Sequence, residues 1–521
     1  MYISTPRVKR LVTAGTVAGI AALVLAGCTT TGEETTAAAG GTVRLAEVNE
    51  LTSFNPDTSS GNVDINSQIQ FLTQGSFFRL DDTASVVYDD SFGTVELLSE
   101  DPLSVKYTVN EGVTWSDGEA IDADDMLLSW AAGSGYFDDA NEDDTAGTTY
   151  FNPAGSTTGL DLSALPEIGD DGRSITLNFS DIFADWNLFG ALGVPAHVVA
   201  EKAGLDRDGL IELFESVPEG NIDAPAEPNA ELRAVADFWN TGFDSASLPS
   251  DPSLYLASGP FIVSSWDSAQ SVTLVKNEAY TGDLVPEGID TIVVRFIADA
   301  NAQVQALQNG EVDIINPQSS ADTLSALTAL TGVTVLTGDT GSYDHIDLNF
   351  ASDVFSDATV REAFLKTIPR EQLLDALIRP LDPAAELLNS QIFFPGVTGY
   401  EENVDSNGSD AFDTTDIAGA TALLAGATPT IRLAYSNANP NRVDAFLAIQ
   451  ASAAEAGITV TDGGLPADQW GGALSQPETW DAFIFGWSTV GAGVTGVPQL
   501  FDSAGGGNYG GFNNAEADAL M

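Results

Sequence analysis

Few residues in this chain of 521 could carry out chemistry, and their spacing limits what that chemistry is. There are two histidines, His197 and His345, too far apart in sequence to make a metal-ligand pattern. His197, after Pro195-Ala196, reads as a structural histidine; His345, in Tyr343-Asp344-His345, is expected just before the strand carrying Asn349, where it could reach a cleft. Carboxylates are the abundant group, with 76 Asp and Glu against 18 Lys and Arg. The run Asp138, Asp139, Glu142, Asp143 and Asp144 offers oxygen ligands of the kind calcium takes, but it lacks the spacing and glycine of an EF-hand loop. It reads as a solvated acidic loop. No nucleophile elbow, phosphate-binding loop or dinucleotide turn occurs. Among so many acids, choosing two as an acid–base pair is arbitrary. A surface glycosidase working with two carboxylates is the remote alternative; no catalytic residue, metal site or cofactor is expected.

The one cysteine has a more specific setting. Arg7, Lys9 and Arg10 precede an apolar run, Leu11–Leu25, too short and too rich in Ala, Gly and Thr for a permanent membrane span. This is the layout of a secretory signal. Leu25-Ala26-Gly27-Cys28 follows, and it resembles the lipobox of bacterial lipoproteins. That resemblance implies a leader over 1–27, diacylglyceryl attached to the Cys28 thiol, and Cys28 as the first mature residue. Each buried methylene contributes about 0.8 kcal/mol, so two acyl chains anchor stably where one holds marginally. Residues 28–41, small and polar beyond Cys28, read as a flexible tether.

Composition bounds the rest. With Cys28 lipidated, no cysteine remains for disulfides or thiolate metal sites. A net charge of −58 repels nucleic acid and anionic headgroups, so no nucleic-acid partner is expected and membrane attachment falls to the lipid. The length calls for two or more lobes. Strand-like runs are Thr42–Ala46, Leu103–Val109, Ser174–Phe179, Phe261–Trp266, Val272–Lys276 and Ile289–Ile297. Asp299 is placed to cap a helix over Ala300–Gln308, with Val312–Ile315 as the next strand. Ile431–Tyr435, a helix near Asn441–Ala456 and Ile458–Val460 form a β-α-β unit, with Val443, Phe446, Leu447 and Ala451 on one face of its helix; Ala482–Phe485 is a further apolar strand.

Several segments, in order, resemble the family 5 extracellular solute-binding proteins, the peptide and nickel receptor group of ABC importers. They are Trp115-Ser116-Asp117-Gly118-Glu119 with Ala123-Asp124-Asp125 and Ser129-Trp130, then Pro195-Ala196-His197-Val198-Val199, and Gly259-Pro260-Phe261 with Asn277 and Tyr280. Ala306-Leu307-Gln308-Asn309-Gly310-Glu311-Val312-Asp313, Asn349 with Val360-Arg361-Glu362-Ala363 and Arg370, and Trp480-Asp481 with Gly486-Trp487, Asn508-Tyr509 and Asp518-Ala519-Leu520 continue the series. Most are turns, caps and core aromatics; Trp115 and Trp130 are expected in the core. The resemblance implies a mixed α+β fold of the α/β type, a two-lobed clamshell like the periplasmic binding proteins with an enlarged N-terminal lobe. Its first lobe would span 42–297, its second 298–485, with 486–521 returning to the first. The family runs on past this last block, so the frame is expected to continue beyond Met521.

The same resemblance implies an extracytoplasmic monomer, held at the cell membrane by its lipid, that captures a small molecule or peptide and delivers it to permease and ATPase subunits. Gly486, Trp487 and Ser488 would form one wall of the cleft and pair with peptide backbone, which is indifferent to side chains. In the peptide receptors an aspartate three residues after the tryptophan anchors the ligand ammonium; here that position is Val490. Either another acid, Glu47 or Glu50, supplies the counter-charge, or the cargo has no free amine and Gly491, Ala492 and Gly493 make room for a bulkier group. An oligosaccharide or metallophore is the alternative cargo. Asn55-Pro56 resembles the family's Asp-Pro turn beside the cleft; Asn55 is a candidate contact or simply a loop cap.

Overall fold

The computed structural model describes Ile3–Ser4 and residues 41–520, apart from 81–85, 141–145, 156, 158, 184, 190–191, 285–287, 339–341, 394, 396–398, 467–468, 489–495 and 504. Cys28, most of the expected tether, Val490 and Met521 lie outside the described residues.

Along the chain the principal strands are β1 (Gly41–Glu47), β2 (Gly93–Glu100), β3 (Leu103–Val109), β4 (Ser174–Asn178), β5 (Phe261–Asp267), β6 (Ser271–Lys276), β7 (Ile289–Phe296), β8 (Ile314–Ile315), β9 (Ser342–Leu348), β10 (Thr430–Ser436), β11 (Thr459–Leu465) and β12 (Ala482–Ser488). The first sheet is seven-stranded and mixed. Its described order is Thr334–Val335, Ile3–Ser4, β8, β1, β7, β6, β5, with β1 parallel to both β7 and β8 and the β7-β6-β5 run antiparallel. Strands β2, β3 and β4 with Glu167–Ile168 make an antiparallel sheet. β3 alternates buried and half-buried residues along its length, as a strand with one face on the core does. A further sheet runs β9-β12-β10-β11, with β10 parallel to β11 and β12, and β9 antiparallel.

The expected change of lobe at 297/298 needs correction. Helix α1 (Ala300–Gln308), capped by the Asp299 side chain on Ala302 N, carries the chain from β7 to β8, which pairs with Leu45 and Ala46. Val304, Leu307, Val312, Ile315 and Leu327 pack with Ala46 in one cluster, so residues 300–335 belong to the first sheet. The change of sheet falls between Val335 and Ser342. The β-α-β unit forms, with helix α2 over Pro440–Glu455 capped by Asn439. Its buried face differs from the expected one: Ala445, Phe446, Ile449 and Ala453 are buried, with Phe446 stacked on Tyr435 at 5.1 Å, while Leu447 is 52% exposed. Leu447 lies next to Phe446 in sequence, about 100° further round a helix, which turns it to solvent. Strand β9 also begins earlier than expected, so His345 lies within it and Asn349 just after it.

Candidate functional site

The family-like blocks meet at structural nodes. Asp125, fully buried, accepts hydrogen bonds from Trp115 Nε1 (3.1 Å) and Ala196 N (2.9 Å) on one oxygen and from Asp122 N (3.1 Å) on the other. One carboxylate thus ties the start of its own helix to Trp115, 10 residues earlier, and to Ala196, 71 residues later. Burial and the adjacent Asp124 hold its pKa well above the usual carboxylate range. Asp122, Asp124 and Asp125 could in geometry surround a cation, but Arg207 supplies the charge, bonding Asp122 at 2.6 Å and pairing with Asp124. Trp115 and Trp130 are fully buried, as expected. Asn277 donates to Gly259 O and Pro260 O through its side chain and backbone, and Asn349 Nδ2 reaches Pro477 O and Trp480 O. These residues build the frame.

The cleft is defined by where the parallel strands end. In open α/β sheets ligands bind beyond the carboxyl ends of the strands. For the first sheet those ends are Glu47, Phe296 and Ile315; for the second they are Ser436, Leu465 and Ser488. Asn441, five residues past β10, donates from Nδ2 to Ser319 O, four residues past β8, at 2.8 Å. The two carboxyl edges therefore face each other.

On the first edge, Glu47 is 3% exposed. Its Oε2 accepts from Asn316 Nδ2 at 3.2 Å, and its buried Oε1 has no hydrogen-bond partner among the described residues. Burial raises its pKa to about 7, against the opposing effects of the Asn316 and Gln68 amides and with a further push from Asp64. Glu50 is exposed. On the second edge, Gly486 pairs with Asp344, and Arg442 from the first turn of α2 lies between them. Arg442 bonds Asp344 Oδ1 through Nε (3.2 Å) and Nη2 (3.0 Å), with its guanidinium 5.4 Å from the Trp470 ring. A Cβ on residue 486 would stand 3.0 Å from Arg442 Nη2 and 3.1 Å from Asp344 Oδ1, so glycine there leaves room for the pair. Composition-level reading missed Arg442; the available signal was a basic residue at a helix start, in a chain with few of them, directly after a strand.

Trp487 is half-buried and lies edge-on to Phe485 at 6.3 Å, on the face that also carries Phe483, Trp480 and Tyr509. His345 shares that face, 4.2 Å from Phe485, with Nε2 3.3 Å from Asp347 and Nδ1 buried without a partner among the described residues. Ser488 ends β12. Beyond Ile484, β12 outruns β10: its register with β10 stops at Tyr435↔Ile484, while on its other edge it pairs with β9 through Ser488. The backbone of Phe485–Ser488 thus has an edge that no described strand occupies. Asn55 is fully buried; its Nδ2 donates to Trp239 O (2.9 Å) and its Oδ1 accepts from Asp57 N (3.3 Å), so the side chain is committed inside the first lobe. His197 bonds Asp117 through Nε2 at 2.9 Å. A cavity of about 20 Å³ beneath this region, lined by Ser53, Asn66, Gln70 and Tyr255, is of a size for one water rather than cargo.

Two mixed sheets whose carboxyl edges face across a cleft, one of them offering a strand edge that no described strand occupies, define a two-lobed solute-binding protein. Known proteins agree. A match to the family described as "Bacterial extracellular solute-binding proteins, family 5 Middle" covers residues 96–509, and the chain belongs to that family, the solute-binding proteins of ABC importers. It is 24% identical over 533 residues to the uncharacterized lipoprotein Rv2585c of Mycobacterium tuberculosis, covering 99% of this chain and 86% of that one. Among solved structures it is similar to the periplasmic EDTA-binding protein EppA, with a TM-score of 0.72, 23% identity and coverage of 92% and 84%. The oligopeptide-binding protein AppA from Bacillus subtilis, solved with a nonapeptide, gives a TM-score of 0.67, 20% identity and coverage of 92% and 86%. The family and fold are those of binding proteins rather than enzymes. Among the described residues no helix is long and apolar enough to cross a membrane.

Proposed function

We propose that this chain is the lipid-anchored receptor of an ABC importer, tethered at Cys28 on the outer side of the cytoplasmic membrane, and that its cargo is a peptide. The observation that carries the peptide reading is the unpaired edge of Phe485–Ser488. An extended peptide adds to such an edge through main-chain hydrogen bonds, which accept many sequences. Gly486 leaves room for the Arg442–Asp344 pair beside the edge, and Trp487 gives it an aromatic flank. The nonapeptide held by the similar AppA, and the lipoprotein designation of the mycobacterial relative, support the two halves of the reading. The protein works as a monomer, the lobes closing over cargo and releasing it unchanged to permease and ATPase subunits, so affinity includes the free energy of closure. Calorimetry of the purified protein against mixed di- to pentapeptides tests the cargo. Heat that saturates is the expected result; no heat and no thermal stabilisation with any of them would refute it.

A further inference from the structure

We infer that the Glu47 carboxylate is the acceptor for a cationic donor of the cargo, the ammonium of a free peptide amino terminus, placed on the lobe opposite the β12 edge. The inference rests on the peptide reading above.

Three observations support it. Glu47 is the last residue of β1, between the parallel strands β7 and β8, so it stands at the carboxyl edge that faces the second sheet. Its backbone is fixed there, since Ile297 N donates to Glu47 O at 2.8 Å. Its side chain is half-satisfied: Oε2 is held by Asn316, while the buried Oε1 has no partner among the described residues. A buried carboxyl oxygen left without a donor is costly. The groups acting on it are the Asn316 amide from beyond β8, Gln68 and Asp64 from the helix Asp64–Thr73, and the positive charge of the chain's amino terminus, which opposes Asp64. Of the groups on neighbouring elements, Asp64 is acidic and favours a positive newcomer. Glu50, exposed three residues on, has none of these features.

In the uncharged state Glu47 carries its proton; as an ammonium arrives, that proton leaves to solvent and the carboxylate accepts a charge-assisted hydrogen bond. With a pKa of about 7, about nine-tenths of empty molecules hold the proton at pH 6.

The test compares an equimolar mixture of di- to pentapeptides having free amino termini with the same mixture N-acetylated, by calorimetry on the full chain. The unaltered protein is expected to bind the free set at least about tenfold more tightly, and Glu47→Gln to reduce that preference to within about threefold, while Glu50→Gln keeps it. A second measurement needs no variant: at pH 6 the heat of binding the free set should depend on buffer ionisation enthalpy, reporting release of close to one proton, and that dependence should vanish with the acetylated set. Equal affinity for both sets, a preference that survives Glu47→Gln, or no proton release overturns the inference while leaving peptide capture standing. Binding of neither set refutes the peptide reading itself.

Discussion

Replacing Glu47 by Gln should change how the empty protein's stability depends on pH, with a sign and a size that the burial of this carboxyl fixes. A carboxyl whose folded pKa lies above its unfolded value binds more protons when folded. Its effect is absent below the unfolded value of 4.5, and stability then falls as pH rises towards the folded value of about 7, above which the full cost is present. The interval corresponds to roughly 3 kcal/mol, an upper figure for a side chain that is nearly but not wholly enclosed. Glutamine keeps the shape and the hydrogen-bonding capacity towards Asn316 but cannot ionise. The variant should match the parent near pH 4.5 and exceed it by up to about 3 kcal/mol at pH 8. The assay is denaturant unfolding at half-unit pH steps, read as the difference between the two proteins. Taking that difference removes the general repulsion of a strongly acidic chain. A difference that stays flat from pH 4.5 to 8 would refute the idea that Glu47 is held neutral by its surroundings.

Asp125→Ala leaves the donors on Trp115, Ala196 and Asp122 without their acceptor and should cost about 3 kcal/mol in unfolding free energy; a loss below 1 kcal/mol would show that the node is not structural. Gly486→Val places atoms against Arg442 and Asp344, so peptide affinity should fall at least about tenfold with little change in circular dichroism; unaltered affinity would count against this wall. Cys28→Ser should abolish labelling by radioactive fatty acid and move the protein from the membrane to the soluble fraction. Persistent labelling would place the lipid elsewhere.

How much the sequence revealed depended on whether a signal was local. Asp299 before an apolar helix, the apolar spacing over 441–456 and the alternation of β3 are local, and those elements formed. The lobe boundary was not local: the pairing of Ile314 with Leu45, across some 270 residues, puts 300–335 on the first sheet, and no periodicity reports that. The helix Asp64–Thr73 went unseen because its apolar positions are interrupted by polar residues, Asn66 and Thr73, that tertiary contacts bury. In the site, Glu47 was visible as an acid near the first strand but its missing partner was not. Arg442 was invisible because its importance comes from Gly486 and Asp344 on other strands.

The overhang of β12 past β10 has a consequence for how such a receptor diversifies. Where grip comes from the peptide plane, side chains around the trough can drift without loss of hold, and each drift retunes which cargo fits. The frame meanwhile is secured elsewhere, at the carboxylate that joins Trp115 to Ala196. A lineage built this way can change its diet repeatedly while its skeleton stays put.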